Sequence, residues 1–518
     1  MSTAWLKDTV FYEIYPQSFY DTNGDGIGDF NGIIEKLDYI RSLGCNALWI
    51  NPCFDSPFKD AGYDVRDYKK VAPRYGTNSD LYRLFGEAHR RGIRVLLDLV
   101  PGHTSEEHPW FLQSGKAEPN EFSNRYIWTN FCFQGANGLP YIGGECERNG
   151  VYILNFFKCQ PALNYGFLKP EEPWQLPVDH PDAIATREAM KDVMRFWMDH
   201  GCDGFRVDMA ASLVKHDDEK KSGTSAIWRN VREMMDAEYP DCALVAEWSD
   251  PPLALRAGYH MDFYLNHMDN GYASLMRDYG MPGIWDRTDN SYFLKDAPDR
   301  DINRFLREYE PWYQDTRNLG YISMLTCNHD THRPRYNLSP EELRLAYALI
   351  FTMPGVPFLY YGDEIGMRYL DLPTKEGGYQ RTGSRTPMQW KPGKNLGFST
   401  GCEDALYLPV DPAPDAPTVE AQEADPSSLL HTVRALLHLR HAEEDLQADA
   451  EFESLCVEKD KPFVYRRGSL ILAINPAGQP AEASVPSAAG KHPLYTIGEA
   501  DIMGETLRLG PQSFTVLK

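Results

Sequence analysis

Short β-branched or apolar runs recur along the chain, and most are followed by a stretch whose apolar residues return every three to four positions. The runs are Val10–Tyr15, Ala47–Ile50, Val95–Val100, Gly204–Asp208, Ala243–Glu247, Met261–Leu265, Ile322–Thr326 and Pro357–Tyr361. Between them Leu81, Leu84, Phe85 and Ala88 fall at i, i+3, i+4 and i+7 behind Ser79 as an N-cap, and Met190, Val193, Met194 and Trp197 repeat the spacing. A last stripe, Leu429, Val433, Leu436 and Leu437, supplies an eighth helix. Alternating strands and helices predict a parallel sheet, and eight such units predict an α/β fold of the (β/α)8 TIM barrel type.

Two stretches break this rhythm. From about Thr104 to Tyr165 the sequence is rich in Gly, Asn, Pro and aromatics without a helical period. That is too long for an ordinary loop, so residues 104–165 are expected to form an inserted domain B after strand 3. A second insertion runs from Asp363 to about Pro426 and ends in a Pro- and Asp-rich passage that reads as a solvated excursion. After about Gln447 short strands are punctuated by Gly, Pro and Asn, predicting a C-terminal antiparallel β-sandwich over 447–518. The barrel would then comprise 1–103 and 166–446.

Composition narrows the partners. Against 52 basic residues stand 75 acidic ones, a formal net charge of −23, which disfavours nucleic acid and anionic membranes. A small neutral substrate suits it better. No basic stretch followed by an apolar run opens the chain, and no CxxC pair occurs among the ten cysteines, so reduced thiols and a cytoplasmic setting are expected.

In a barrel of this kind chemistry sits at the C-terminal ends of the strands. Strand 3 leads through Asp98 to His103, strand 4 ends Arg206-Val-Asp208, strand 5 ends Glu247-Trp248 and strand 7 leads to Asn328-His329-Asp330. A single strand-end acid is commonly a helix cap or an ion-pair partner. Several converging on one mouth are what hydrolysis through an oxocarbenium-like transition state requires, one carboxylate attacking the anomeric carbon while a protonated one serves the leaving oxygen. Arg206, two residues from Asp208 and so on the same strand face, is placed to keep that carboxylate ionised.

At these residues the sequence resembles the α-amylase family, glycoside hydrolase family thirteen, in its oligo-1,6-glucosidase, α-glucosidase and trehalose synthase branch. The similar segments are DTNGDGIGDF (21–30), AGYDVRDY (61–68), DLVPGHTSEEHPWF (98–111), QPALN (160–164), GFRVD (204–208), AEW (246–248), NHDTHR (328–333), YYGDEIGM (360–367) and SRTPMQW (384–390). The resemblance implies Asp208 as nucleophile, Glu247 as general acid/base and Asp330 as a third acid that binds sugar hydroxyls. It implies further that His103 and His329 bond the same glucose, that Tyr63 stacks on it, that Asp64 with Arg385 closes the pocket, and that Phe157 adds a wall.

The segment Asp21, Asn23, Asp25, Ile27 and Asp29 sets oxygen donors at alternate positions, a spacing suited to Ca²⁺ or Mg²⁺. Gly32 at the twelfth position excludes an EF-hand. A metal-free Asx-rich turn is the alternative, while the resemblance implies a structural cation. The chain departs from the family at Gly102, where Asn is usual, at Ala162 in QPALN, and at Met209 after the nucleophile. The implied function is a retaining, exo-acting α-glucosidase that removes glucose from the non-reducing end of short α-glucosides through a covalent glucosyl-enzyme. Trehalose synthase or a transglucosidase is the nearest rival. A noncatalytic sugar-binding homologue is the rival from another class, and the presence of all the acids and both histidines argues against it.

Overall fold

The computed structural model describes residues 3–267, 270–278, 290–378 and 380–518. All eight expected strands form: β1 (Phe11–Ile14), β2 (Ala47–Ile50), β3 (Arg94–Leu99), β4 (Gly204–Val207), β5 (Ala243–Ala246), β6 (Met261–Phe263), β7 (Tyr321–Ser323) and β8 (Phe358–Tyr360). They are hydrogen-bonded in the order β7-β6-β5-β4-β3-β2-β1-β8. Every pairing is parallel, with Phe11 opposite both Ala47 and Phe358, and a bridge from Leu325 to Phe358 joins the sheet's two edges. The sheet is a closed barrel.

Strands this apolar suit a sheet covered on both faces. Phe11, Trp49, Leu96, Val245, Met261, Phe263 and Phe358 fill the inside, with Phe11 stacked on Phe358 at 4.3 Å. The outer residues meet α1 (Phe30–Leu43), α2 (Asn78–Arg90), α3 (Pro181–Asp199), α4 (Ser222–Glu238), α5 (Pro251–Arg256), α6 (Asn303–Thr316), α7 (Pro340–Thr352) and α8 (Leu429–Ala442). The cap of α2 differs from expectation: Thr77, not Ser79, is the N-cap. Thr77 and Asp80 exchange side-chain bonds with each other's backbone N–H, a capping box that starts the helix two residues earlier.

Between β3 and α3 the inserted segment carries a hairpin of Tyr141–Gly143 and Val151–Ile153 over a small apolar core of Ile127, Val151, Ile153, Ala162, Phe167 and Trp174. His103 bridges to Ala162 and so roots this segment on the barrel. The second insertion is not solvated throughout, since Arg381, Ser384, Arg385 and Met388 are buried against the barrel mouth. There Ser18 Oγ donates to the Arg385 carbonyl at 2.6 Å.

Beyond the barrel lie β9 (Phe452–Cys456), β10 (Phe463–Arg467), β11 (Leu470–Asn475), β12 (Ala481–Ser484), β13 (Pro493–Ile497), β14 (Ala500–Met503), β15 (Thr506–Leu509) and β16 (Ser513–Leu517). They form antiparallel sheets ordered β9-β10-β11-β16-β13 and β12-β15-β14 around Val464, Ile471, Ala473, Leu507, Leu509 and Leu517. This unit holds the C-terminus of α7: Tyr465 shares a 2.6 Å hydrogen bond with Thr352 Oγ1, and Arg467 donates to the Thr352 carbonyl. Arg440 of α8 donates to the Phe351 and Met353 carbonyls at 2.9 and 3.1 Å. No described helix is long and apolar enough to cross a membrane.

Candidate active site

Arg206 is the hub of the barrel mouth. Its buried guanidinium donates Nη1 to Asp98 Oδ1 at 2.9 Å and to Asp208 Oδ1 at 3.2 Å, while Nη2 reaches Glu247 Oε1 at 2.9 Å. The side chain of Asp98 is fully buried, whereas those of Asp208 and Glu247 stay 11% and 19% exposed. Only the latter two are open to a ligand. Glu247 Oε2 also accepts the Met209 N–H at 2.9 Å, a bond made possible by the left-handed backbone of Met209 (φ +43°) directly after Asp208. A non-glycine residue in that region carries strain, which here turns one strand end toward its neighbour.

The charges in this group set its protonation. Burial and the neighbouring Glu247 push the Asp208 carboxyl well above its usual range, with Arg206 opposing them. One guanidinium among three carboxylates leaves an excess of negative charge in a region of low dielectric, so Arg206 does not by itself keep Asp208 ionised as its strand position suggested; one proton is held by the Asp208–Glu247 pair, and attack by Asp208 requires it on Glu247.

A second cluster faces the first. Asp330 Oδ1 accepts from Arg381 Nη1 at 2.5 Å and Arg385 Nη2 at 2.8 Å, and Oδ2 lies 3.1 Å from His329 Nε2. Burial opposes its ionisation, yet His329, Arg381 and Arg385 hold the carboxyl well below its ordinary range. The Asp330 side chain keeps 22% exposure, so it combines a fixed negative charge with an accessible face. Tyr63 stacks on His329 at 5.4 Å between ring centroids, with its hydroxyl 2.6 Å from His329 Nε2. His103 Nε2 lies 3.1 Å from the Tyr63 carbonyl, and its Nδ1 lies 3.0 Å from the Asn155 amide. Burial pushes His103 down to about 3, so it is neutral.

Asp64 has other hydrogen-bond partners than the resemblance implies. It is fully buried and accepts from Ser56 Oγ and from the Lys59 and Asp60 N–H groups at 2.9–3.0 Å, so it shapes the loop rather than facing Arg385. Burial raises it to about 6. The ion pair that does close this side joins Arg381 to Asp60, with Gln160 donating to the other Asp60 oxygen at 2.7 Å. Gly377 (φ +94°) is crowded against this pair: a Cβ there would lie 2.7 Å from Arg381 Nη2, 2.8 Å from Asp60 and 3.2 Å from the Phe157 ring. Phe157 therefore stands at the rim beside the Asp60–Arg381 pair, with Phe156 packed on it at 4.4 Å. Sequence reasoning missed Asp60 and Arg381. The signals available were a second acid four residues before Asp64 and a second arginine four residues before Arg385.

The candidate cation loop lies against residues 398–407. Asp21 accepts from the N–H groups of Asn23, Gly24 and Gly26 and from Ser399 Oγ. Asn23 accepts from Asp25 N–H, and Asp25 from Ile27 N–H. Asp29 is the N-cap of α1 through the Gly32 N–H at 2.8 Å. Among the described residues no group of three or more His, Cys, Asp or Glu side chains converges as a metal cluster would. All five donors are nevertheless hard oxygens if Asn23 contributes its amide and Ile27 its carbonyl.

The profile of the alpha-amylase catalytic domain matches residues 13–449 of the chain. The chain belongs to the α-amylase family. Within that family, a trehalose synthase/amylase of Mycolicibacterium smegmatis is 35% identical over 482 residues, 85% of this chain and 76% of the relative. An oligo-1,6-glucosidase of Heyndrickxia coagulans is 33% identical over 535 residues, 90% of each chain. Among solved structures, an isomaltulose synthase mutant of Erwinia rhapontici in complex with its natural substrate sucrose superposes with a TM-score of 0.81, at 25% identity over 99% of both chains. The barrel, its C-terminal β-domain and the oligo-1,6-glucosidase and trehalose synthase branch of the α-amylase family therefore describe this enzyme.

Proposed function

We propose that this α-amylase-family enzyme is a retaining, exo-acting α-glucosidase that releases glucose from the non-reducing end of short α-glucosides. The observation that carries this reading is the pairing of Asp208 and Glu247 on one guanidinium, with Asp330 held by Arg381 and Arg381 tied in turn to Asp60. A glucose ring whose hydroxyls bond Asp330, with the Asp60–Arg381 pair beyond it, would present its anomeric carbon to the paired acids, which favours attack at the non-reducing end.

Asp208 attacks the anomeric carbon while Glu247 gives its proton to the departing glycosidic oxygen, leaving a glucosyl ester on Asp208. Glu247, now ionised, takes a proton from an incoming water, which displaces Asp208 and restores it. Arg206 offsets the growing charge on whichever acid is ionised at each stage. Asp330, ionised throughout, bonds sugar hydroxyls and favours positive charge developing on the ring. Tyr63, buried on His329, supplies an aromatic face for the same sugar.

A second reading keeps the site and changes the acceptor. The relative named trehalose synthase/amylase supports it: if the released glucose is retained and reattacks the ester, maltose becomes trehalose. A Ca²⁺ or Mg²⁺ held by Asp21, Asn23, Asp25, Asp29 and the Ile27 carbonyl belongs to the same proposal, supported by the all-oxygen donor set. It takes no part in the chemistry above. A cytoplasmic location is supported by ten free cysteines, five of them buried.

The deciding experiment supplies maltose, isomaltose, sucrose, trehalose and p-nitrophenyl α-glucoside and identifies products by NMR. Glucose as the main product from maltose or isomaltose is expected, initially as the α-anomer. Mostly trehalose from maltose moves the assignment to the synthase, and a D208N variant with unchanged turnover removes it from this site.

A further inference from the structure

Glu13, in β1, lies against His329 with its side chain fully buried, and nothing in the proposed chemistry uses it. Its Oε1 is 2.9 Å from His329 Nδ1. The Asn51 amide nitrogen stands 3.0 Å from the same ring atom. These two neighbours make opposite demands. The amide N–H can donate only to a bare Nδ1, whereas a Glu13 carboxylate can accept only from Nδ1–H. An ionised Glu13 settles the choice, and Asn51 becomes a close neighbour of the ring rather than its donor.

The other ring nitrogen faces the Tyr63 hydroxyl at 2.6 Å and Asp330 Oδ2 at 3.1 Å. With the Tyr63 O–H donated to Asp98 Oδ2 at 3.1 Å, Nε2 faces two acceptors, the Tyr63 oxygen and Asp330, and a ring that donates to them from Nε2 and to Glu13 from Nδ1 carries both protons. We infer that Glu13 is a positioning residue: its carboxylate keeps a proton on His329 Nδ1, making the ring a doubly donating cation whose Nε2–H is fixed toward Asp330, the acid proposed to bind the sugar. This rests on the proposed glucoside-cleaving site.

The surrounding charges agree. Asp98 of β3 adds negative charge near the imidazolium; burial raises the Glu13 carboxyl above its ordinary value, and the His329 ring, with Asn51 and Arg206 of β4, opposes that rise and favours the carboxylate. Tyr360 of β8 faces Glu13 with a neutral phenol, and Arg385 donates Nε to the His329 carbonyl at 2.9 Å. Burial alone would discharge the ring, but Asp330 and Glu13 outweigh it and hold His329 above its usual value. A group so raised is charged below its folded pKa and loses that charge as pH rises through it. Removing Glu13 lowers that pKa, so the charged form fails at a lower pH.

The test is the pH profile of kcat/KM for maltose in E13Q, E13D and wild type, with far-UV circular dichroism and thermal unfolding as fold controls. E13Q is expected to lose about 10- to 100-fold near neutrality and to move the alkaline limb about one unit toward acid. E13D, which keeps the charge at a longer reach, should recover part of the shift. In an H329N background E13Q should cost nothing further, because its effect passes through the ring. An unshifted limb in E13Q, or a loss that adds in full to that of H329N, overturns the inference. If E13Q fails to fold, the limb of E13D must still move the same way, and an unmoved limb overturns it equally. D208N, assayed beside them, separates the two failures: an inactive D208N with an unshifted E13Q removes Glu13 alone, whereas an active D208N removes the site reading and this inference together.

Discussion

Arg206 and Glu364 show opposite ways of burying charge. Arg206 meets three carboxylates, whereas the buried Glu364 meets only hydroxyls. Its Oε1 accepts from Tyr12 and Tyr39 at 2.7 and 2.8 Å, and burial raises it to about 7. An acid whose folded pKa is raised contributes stability that is present below its unfolded value of 4.5 and is lost as pH climbs through 7. E364Q keeps the acceptor for both tyrosines and cannot ionise. Relative to wild type it should therefore gain up to about 3 kcal/mol between pH 4 and pH 8, from 1.36 kcal/mol per unit of pKa. Urea unfolding at both pH values checks this, and an equal gap at the two would contradict it. At this scale the positions of Asp208 and Glu247 were legible because each directly follows an apolar strand, whereas Asp330, in the loop beyond β7, was singled out by the resemblance. Asp60 and Arg381 were not: they lie 321 positions apart in irregular loops, where no period relates one residue to another.

At the scale of elements, apolar period located every barrel strand, but helix starts were set by polar detail. Ser79 and Thr77 have equal capping chemistry, and what decides between them is Asp80 three residues after Thr77. The loop from Asp21 to Asp29 shows the same ambiguity in stronger form. Its alternate oxygens suit a cation, and they also bond the loop's own N–H groups. The two roles predict different responses to chelation. With the cation present at 100 times its dissociation constant, the folded state gains about 2.7 kcal/mol. Thermal unfolding should then fall by several degrees in excess EGTA or EDTA and recover on adding Ca²⁺ or Mg²⁺. An unfolding midpoint indifferent to chelator would leave the Asx hydrogen bonds as the loop's whole support.

Over the whole molecule, domain order was readable from shifts in period and composition, but the fastening between units was not. Arg467 of β10 and Arg440 of α8 donate to carbonyls that follow or end α7, and no sequence pattern near either arginine announces that partner. Their work is to cap a buried helix C-terminus whose carbonyls would otherwise lack donors. Deleting residues 451–518 removes Arg467 and Tyr465 and exposes the apolar face beneath β10. Such a truncation should accumulate as insoluble protein, measured by the soluble fraction on expression. A soluble, active fragment would show that the C-terminal sheets are dispensable to the barrel.

Barrel closure carries a consequence in time. The first strand must wait for a partner almost 350 residues downstream, Phe11 for Phe358, and until then the nascent sheet has two open edges. Loop closure over such a span is entropically slow and leaves unpaired strand edges exposed during synthesis. Glu13 and His329 are likewise brought together only near that final step. Competence to bind sugar should thus arise late and all at once, as a property of the sealed ring rather than of any growing part.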